Sequence, residues 1–320
     1  MKQYLRELAL LVAVMAGLAS TGAIAQDGQQ QSAHSGTEHG SLGELGAKLS
    51  DPLSDVWALF TEFDLNFNEG DLSDGDHKTA GAILFQPVMP FKLTKDWKMI
   101  TRPVIPFISE PIPEGGNIDR RDVIFSDPFT TILGPEAPSF DRKTGLGDIQ
   151  LPLLFAPNPQ PGSKWMLGAG PTFTFPTATT DELGSDKWEA GPALVVSRKT
   201  RQDTAGVFGQ YWWSYATQGS NKPDTSHGSI LYFYYYNLPN AWQIGTNPTA
   251  TYNDKASSGN KWNVPVGLTV AKTTKFGKLP VKFQLGFEKS IVRQDDYGQD
   301  WQVKLNIIPV IPSLFPNPLF

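Results

Sequence analysis

The chain has 320 residues, no cysteine, 30 glycines, 26 prolines and a formal charge of −5, with 12% aromatic and 18% charged side chains. The missing thiol excludes a disulfide framework, a cysteine-ligated zinc site and a thiol nucleophile. A mean hydropathy of −0.27 excludes a bundle of apolar transmembrane helices, and the acidic balance speaks against a nucleic-acid partner.

Residues 1–25 read as a secretory signal peptide. Lys2 and Arg6 precede an apolar or small run from Leu8 to Ala19, and Ala23-Ile24-Ala25 supplies a small-x-small exit. Cleavage there starts the mature chain at Gln26 with 25 basic and 31 acidic residues, net −6. This implies export in a Gram-negative cell, where the lack of cysteine suits an oxidising periplasm. Residues 26–40, rich in Gln, Ser, Gly and His, are expected to form a disordered periplasmic tail. His34, Glu38 and His39 lie in it, but a mobile tail is a poor cage, so no metal site is expected there.

Over residues 41–60, Leu45, Leu49, Leu53, Val56, Trp57 and Phe60 recur at spacings of three and four. That pattern predicts a short amphipathic helix, with Ser50-Asp51-Pro52 resembling a helix start. Such a helix could seat at the membrane surface or partly close a barrel mouth; packing against the barrel's base is the expected role.

From Thr61 onward the period is two. In the run from Trp301 to Ile307 the odd positions are apolar and the even ones polar, and Val281–Glu288, Trp262–Val270 and Trp242–Ala250 follow the same rule. Twelve strands are predicted, near 61–68, 80–90, 98–109, 146–156, 165–176, 188–198, 205–216, 229–237, 242–252, 262–273, 281–292 and 301–311. Their connections alternate between a mostly short set and a longer set. The tryptophans fall into two tiers: Trp97, Trp165 and Trp242 open strands that leave the short turns, while Trp188, Trp262 and Trp301 open strands that leave the long loops. Trp212 and Trp213 end a strand at the long-loop side, and Tyr234–Tyr236 end one at the short-turn side. These features predict an all-β, transmembrane, antiparallel up-and-down barrel over 61–320 with interfacial girdles of rings, the outer-membrane design. The girdle is assigned to Trp97, Trp165, Trp188, Trp213, Trp242, Trp262 and Trp301.

If the apolar register faces lipid, the lumen receives Glu62, Asp64, Arg102, Asp148, Gln150, Gln210, Asn263, Lys282, Glu288, Lys304 and Asn306. Such mixed charge suits a hydrated passage for small solutes and equally a lumen filled by its own ion pairs. Twelve strands is wider than the barrels that side chains fill and narrower than open porins. The short-turn segments carry about +7 and the long-loop segments about −9 by residue count, the acidic set being either solvated tips or collectors of cations that bridge lipopolysaccharide. Loop 110–145 is long enough to fold inward. Its apolar stretch, with Phe129, Ile132 and Leu133, is the gate candidate.

Catalytic motifs are scarce. There is no Gly-x-Ser-x-Gly elbow, phosphate loop or His-Glu-x-x-His, and Gly168-x-Gly170 lies within a strand with no helix after it. His227-Gly228-Ser229 is the one His-near-Ser pair in a folded region, and no supporting motif accompanies it. No enzyme activity, cofactor or metal is expected.

Several stretches resemble a family of Gram-negative outer-membrane barrels regarded as transporters and related to barrels associated with phenol-degradation (MetA) pathways. They are Gln86–Phe91, Thr101–Phe107, Gly145–Ile149, Gly168–Thr179, Leu183–Pro192, Tyr211–Ser214, Tyr236–Pro239 and Trp262–Gly267. The likeness spans roughly 51–310 and implies an outer-membrane location and movement of small organic compounds; it transfers no binding residue. Outer-membrane barrels often end on an aromatic residue that closes the last strand. Phe320 is terminal here, but three prolines over 311–320 exclude a regular strand, so the assembly signal is expected in Trp301–Val310. The expected function is passive passage of small organic, aromatic or hydrophobic solutes. A structural or surface-interaction barrel with a self-filled lumen is the alternative, and an outer-membrane lipid hydrolase the third. The expected partners are outer-membrane lipid and lipopolysaccharide, the barrel-assembly machinery and a small-molecule solute.

Overall fold

The computed structural model describes residues 42–113, 139–159, 162–219, 222–315 and 317–319. The signal peptide, the tail, the gate candidates Phe129, Ile132 and Leu133, and Phe320 lie outside them.

Twelve antiparallel strands form a closed barrel. They are β1 (Ala58–Glu69), β2 (Lys78–Lys92), β3 (Trp97–Thr101 and Ile105–Pro113), β4 (Phe140–Leu146 and Ile149–Pro157), β5 (Trp165–Phe175) and β6 (Lys187–Lys199). Then follow β7 (Asp203–Thr217), β8 (Ser226–Leu238), β9 (Trp242–Thr246 and Thr249–Asn253), β10 (Trp262–Phe276), β11 (Leu279–Val292) and β12 (Gly298–Pro309). Each strand pairs with its sequence neighbours, and β1 pairs with both β2 and β12, so no edge is left open. Closure is what allows a sheet to sit in hydrocarbon, where an unpaired backbone edge would find no water.

Alternation sets the two faces. In β12, Gln302, Lys304, Asn306 and Ile308 are buried toward the interior, while Trp301 stands exposed outside. Tyr234 and Tyr236 are exposed, but Tyr235 between them is buried inside, and Trp212 is 2% exposed against 50% for Trp213. Adjacent rings on a strand cannot share a face, so Tyr235 and Trp212 leave the tiers in which the sequence grouped them.

Three strands are interrupted, at 102–104 in β3, 147–148 in β4 and 247–248 in β9. Pro103 and Pro248 have no N–H for the ladder. The β3–β4 hairpin also extends beyond its predicted ends, pairing from Phe107 with Leu146 to Pro113 with Phe140.

The N-terminal helix covers only residues 42–49. Ser50-Asp51-Pro52 ends it instead of starting it. The Ser50 hydroxyl donates back to the Gly46 carbonyl at 3.2 Å, and the Asp51 carboxylate accepts from the Leu53 N–H at 3.0 Å, an Asx turn that competes with helix. Trp57 lies beyond the helix and before β1, and Phe60 already belongs to β1. After β12 the described residues form no further strand. Phe315 rests near Phe91, with ring centroids 5.4 Å apart, and the Leu319 N–H donates to the Lys92 carbonyl at the short-turn rim.

Candidate functional site

The segment 42–57 lies inside the barrel at the short-turn end. Leu53 is fully buried among Ile100, Leu154, Ala156, Ala193, Val195 and Phe208, all carried by the inner faces of β3, β4, β6 and β7. Polar groups of the wall hold the same segment. Lys98 Nζ donates to the Leu53 carbonyl at 2.5 Å, the Ser197 hydroxyl to Asp51 Oδ1 at 3.0 Å, and Lys282 Nζ to the Gly46 carbonyl at 3.1 Å and Ser50 Oγ at 2.5 Å. Trp57 Nε1 donates to the Pro90 carbonyl at 3.0 Å. The segment is a floor within the lumen and does not merely rest on the barrel's base. Burial holds Asp51 above the usual carboxylate range, against the opposing pull of its two hydrogen bonds and of Lys98 and Lys199.

Above the floor is a cavity of about 310 Å³, lined by floor residues from Leu49 to Val56 and reaching Tyr252, Asn253 and Gln294 toward the long loops. Its walls are mixed: Phe60, Leu84, Phe208, Leu231 and Phe233 face it, as do Gln86, Gln150, Gln210, Asn247 and Gln284. Of the lumen candidates, Glu62, Arg102, Gln150, Gln210 and Lys304 line this space. Glu288 pairs with Lys304 at 2.8 Å, and Asp64 belongs to the same charged group. Asn263 and Asn306 are buried, and each has an unpartnered carbonyl oxygen. Lys282 is committed to the floor. Asp148 does not line the cavity: it accepts from the Thr177, Ala178 and Ser185 N–H groups and from the Ser185 hydroxyl at 2.6–3.1 Å, which pins the β5–β6 loop to the wall.

Sequence reasoning singled out His227 but missed the partners that make it part of a second cluster. Glu189, 1% exposed, accepts from Thr225 at 2.5 Å and lies 3.1–3.2 Å from His227 Nε2. The His227 ring stacks on Trp212, centroids 5.2 Å apart. Both His227 and Ser229 line the cavity, whereas a hydrolase of membrane lipid would present such a pair to the lipid. Strict alternation along β6 and β8 carries the signal that would have found these residues.

The outer face is an apolar belt. Leu167, Leu194, Leu268 and Phe287 are exposed between the two tiers, and so are all the girdle tryptophans except the half-buried Trp242. Among the described residues the longest gap in the ladders lies between β9 and β10. Gly245 faces Thr269 and Thr251 faces Asn263, but the stretches between them, 246–250 of β9 and 264–268 of β10, form no ladder. Pro248 and Pro265 fall here, and β10 shifts register against β11 at Val264/Pro265. The Tyr232 hydroxyl, from β8, reaches across β9 to donate to the Pro265 carbonyl. On the inner side Thr269 donates to Asn247 Oδ1 at 2.8 Å, and Lys304 approaches the Asn247 carbonyl at 3.4 Å.

Neither a family model nor a curated protein matches the sequence. Solved structures do. An outer-membrane channel from Pseudomonas putida F1 aligns with a TM-score of 0.53 at 12% identity, over 82% of this chain and 98% of that one. The two proteins share one fold. A NanC porin (TM-score 0.43, 10% identity, 79% and 99% covered) and the outer membrane phospholipase A of Escherichia coli (0.38, 8%, 86% and 99%) also align, at scores too low to bear on function.

Proposed function

We propose that this protein is an outer-membrane channel for the passive passage of small organic solutes with apolar or aromatic bodies. The observation that carries this reading is the cavity: a space with both apolar and amide walls, inside a barrel whose outer belt is apolar, above a docked floor. A purely structural barrel has no need of such a lining. The floor narrows the axial path, and the β9–β10 seam gives an apolar solute a second way out, from cavity to bilayer. A lumen filled by its own side chains is favoured only for the short-turn half, where Leu53 and its neighbours occupy the interior.

In this reading residues 1–25 are removed on export, the barrel is inserted by the assembly machinery into lipid and lipopolysaccharide, and the protein carries no enzyme activity. The motif resemblance to barrels of phenol-degradation pathways supports aromatic compounds as a solute class. Solute release and ion conductance by the purified protein in liposomes test the proposal. Passage that rises when the floor is loosened supports it; no passage for any solute, with or without the floor docked, overturns it in favour of a structural barrel. Lipid release abolished by Ser229→Ala would establish a hydrolase instead.

A further inference from the structure

We propose that the cavity contains a binding site for the carboxylate of an organic acid, centred on Arg102, with the acid's apolar body lying along the phenylalanine-lined wall. This deepens the channel reading by naming a solute class. Arg102 stands in the break of β3 between Thr101 and Ile105 and lines the cavity. Its guanidinium lies over the Phe60 ring, 4.3 Å from the centroid. Stacking satisfies the face of the group and leaves its in-plane N–H donors to be used. Nε is buried with no hydrogen-bond partner, and no carboxylate among the described residues lies within 4 Å to pair with it. A guanidinium with a buried Nε and no directly paired carboxylate is costly, and the break in β3, where Pro103 has no N–H for the ladder, places this one beside open space.

The rest of the charge in the lumen is arranged differently. Glu62, Asp64 and Glu288 all act on Lys304, and Glu288 pairs with it directly at 2.8 Å; of these three only Glu62 also acts on Arg102, and from beyond 4 Å, so the two cations are not equivalent: Lys304 has a direct carboxylate partner, and Arg102 has the Phe60 ring and the cavity. Gln86 and Gln150 also line this space and offer amide donors. Phe60, Leu84, Leu231 and Phe233 supply apolar surface to the same cavity. A planar fork of donors beside apolar surface matches a monocarboxylate with a short hydrocarbon body; an ammonium headgroup would meet the wrong charge, and a neutral amide would forgo the charge-assisted pair.

The test compares hexanoate with its neutral analogue hexanamide by calorimetric titration of the folded barrel in lipid nanodiscs. The wild-type protein should bind hexanoate tighter than hexanamide by about tenfold or more, the scale of a hydrogen bond to a charged group. Arg102→Met should abolish that preference, while Arg102→Lys should keep part of it. Equal binding of the two ligands by the wild type, or a preference that survives in Arg102→Met, overturns the site. Solute release and ion conductance of the same variants in liposomes are recorded in parallel. A barrel that passes solute but shows no acid preference defeats this inference alone, and a barrel that binds hexanoate through Arg102 but passes no solute, with or without the floor docked, defeats the channel reading alone.

Discussion

Lys98 Nζ donates to the main-chain carbonyl of Leu53 at 2.5 Å, so a side chain on the inner wall of β3 holds the backbone of the segment that floors the lumen. Lys98 is 2% exposed, and its bond fixes the depth at which Leu53 meets its apolar neighbours. Lys98→Met removes this bond and leaves a buried carbonyl unsatisfied, at a cost of about 1–3 kcal/mol to docking. Hydrogen exchange over 42–57 should speed up in that variant while the barrel amides stay protected.

Leu53→Ala attacks the same contact from the apolar side. It leaves a void among Ile100, Leu154, Val195 and Phe208, worth about 2–5 kcal/mol at a fully buried leucine. The floor should undock more often, and single-channel conductance should rise. Unchanged conductance would show that the floor does not limit passage.

Asp51 gives floor docking a pH dependence. Its carboxyl is raised by burial, so keeping it charged costs stability above its folded pKa, and that cost disappears as pH falls through this value toward the ordinary carboxylate range. Docking of the wild type should therefore strengthen on mild acidification, read as slower exchange at 42–57 after correction for the intrinsic rate. Asp51→Asn should lose this increment. A variant with the wild-type slope would assign the effect to another group.

Tyr232→Phe keeps the ring over the β9–β10 seam and deletes its bond to the Pro265 carbonyl. The expected loss is about 1 kcal/mol, visible as faster exchange at 264–268 and a higher rate of transfer of an apolar fluorescent solute into the surrounding bilayer. Faster exchange with unaltered transfer would remove the seam from the solute's route.

At the long-loop end, Asp300 gathers His77 at 3.0 Å, Arg293 at 3.3 Å and Lys289, while Glu69 takes His77 at 3.1 Å and also Arg293. The group ties β1 to β11 and β12, next to where the barrel closes. Asp300→Ala should lower the unfolding temperature, with a loss of about 1–3 kcal/mol because Asp300 is buried. His77→Ala, at an exposed position, should change it little.

The barrel was legible in the sequence because period-two alternation, loop length and the placement of rings all follow from local rules: a strand between lipid and a polar lumen must alternate residue by residue. Twelve strands were read and twelve form. Alternation also assigns a face, which is why β12 reads cleanly from Trp301 to Ile307. It failed where the interior is not polar. Leu154, Ala156, Ala193 and Val195 face inward and lie in continuous apolar runs of β4 and β6, the pattern of strands covered on both sides, but Leu53, which covers them, lies about 100 to 140 positions earlier in the chain. Only the tertiary structure decides that Leu53 fills that patch, that Lys282 serves the floor and Asp148 the β5–β6 loop, and that Arg102 has no carboxylate within 4 Å among the described residues. Those outcomes depend on which side chains closure of the sheet brings together across the lumen, and neither spacing nor composition carries that information.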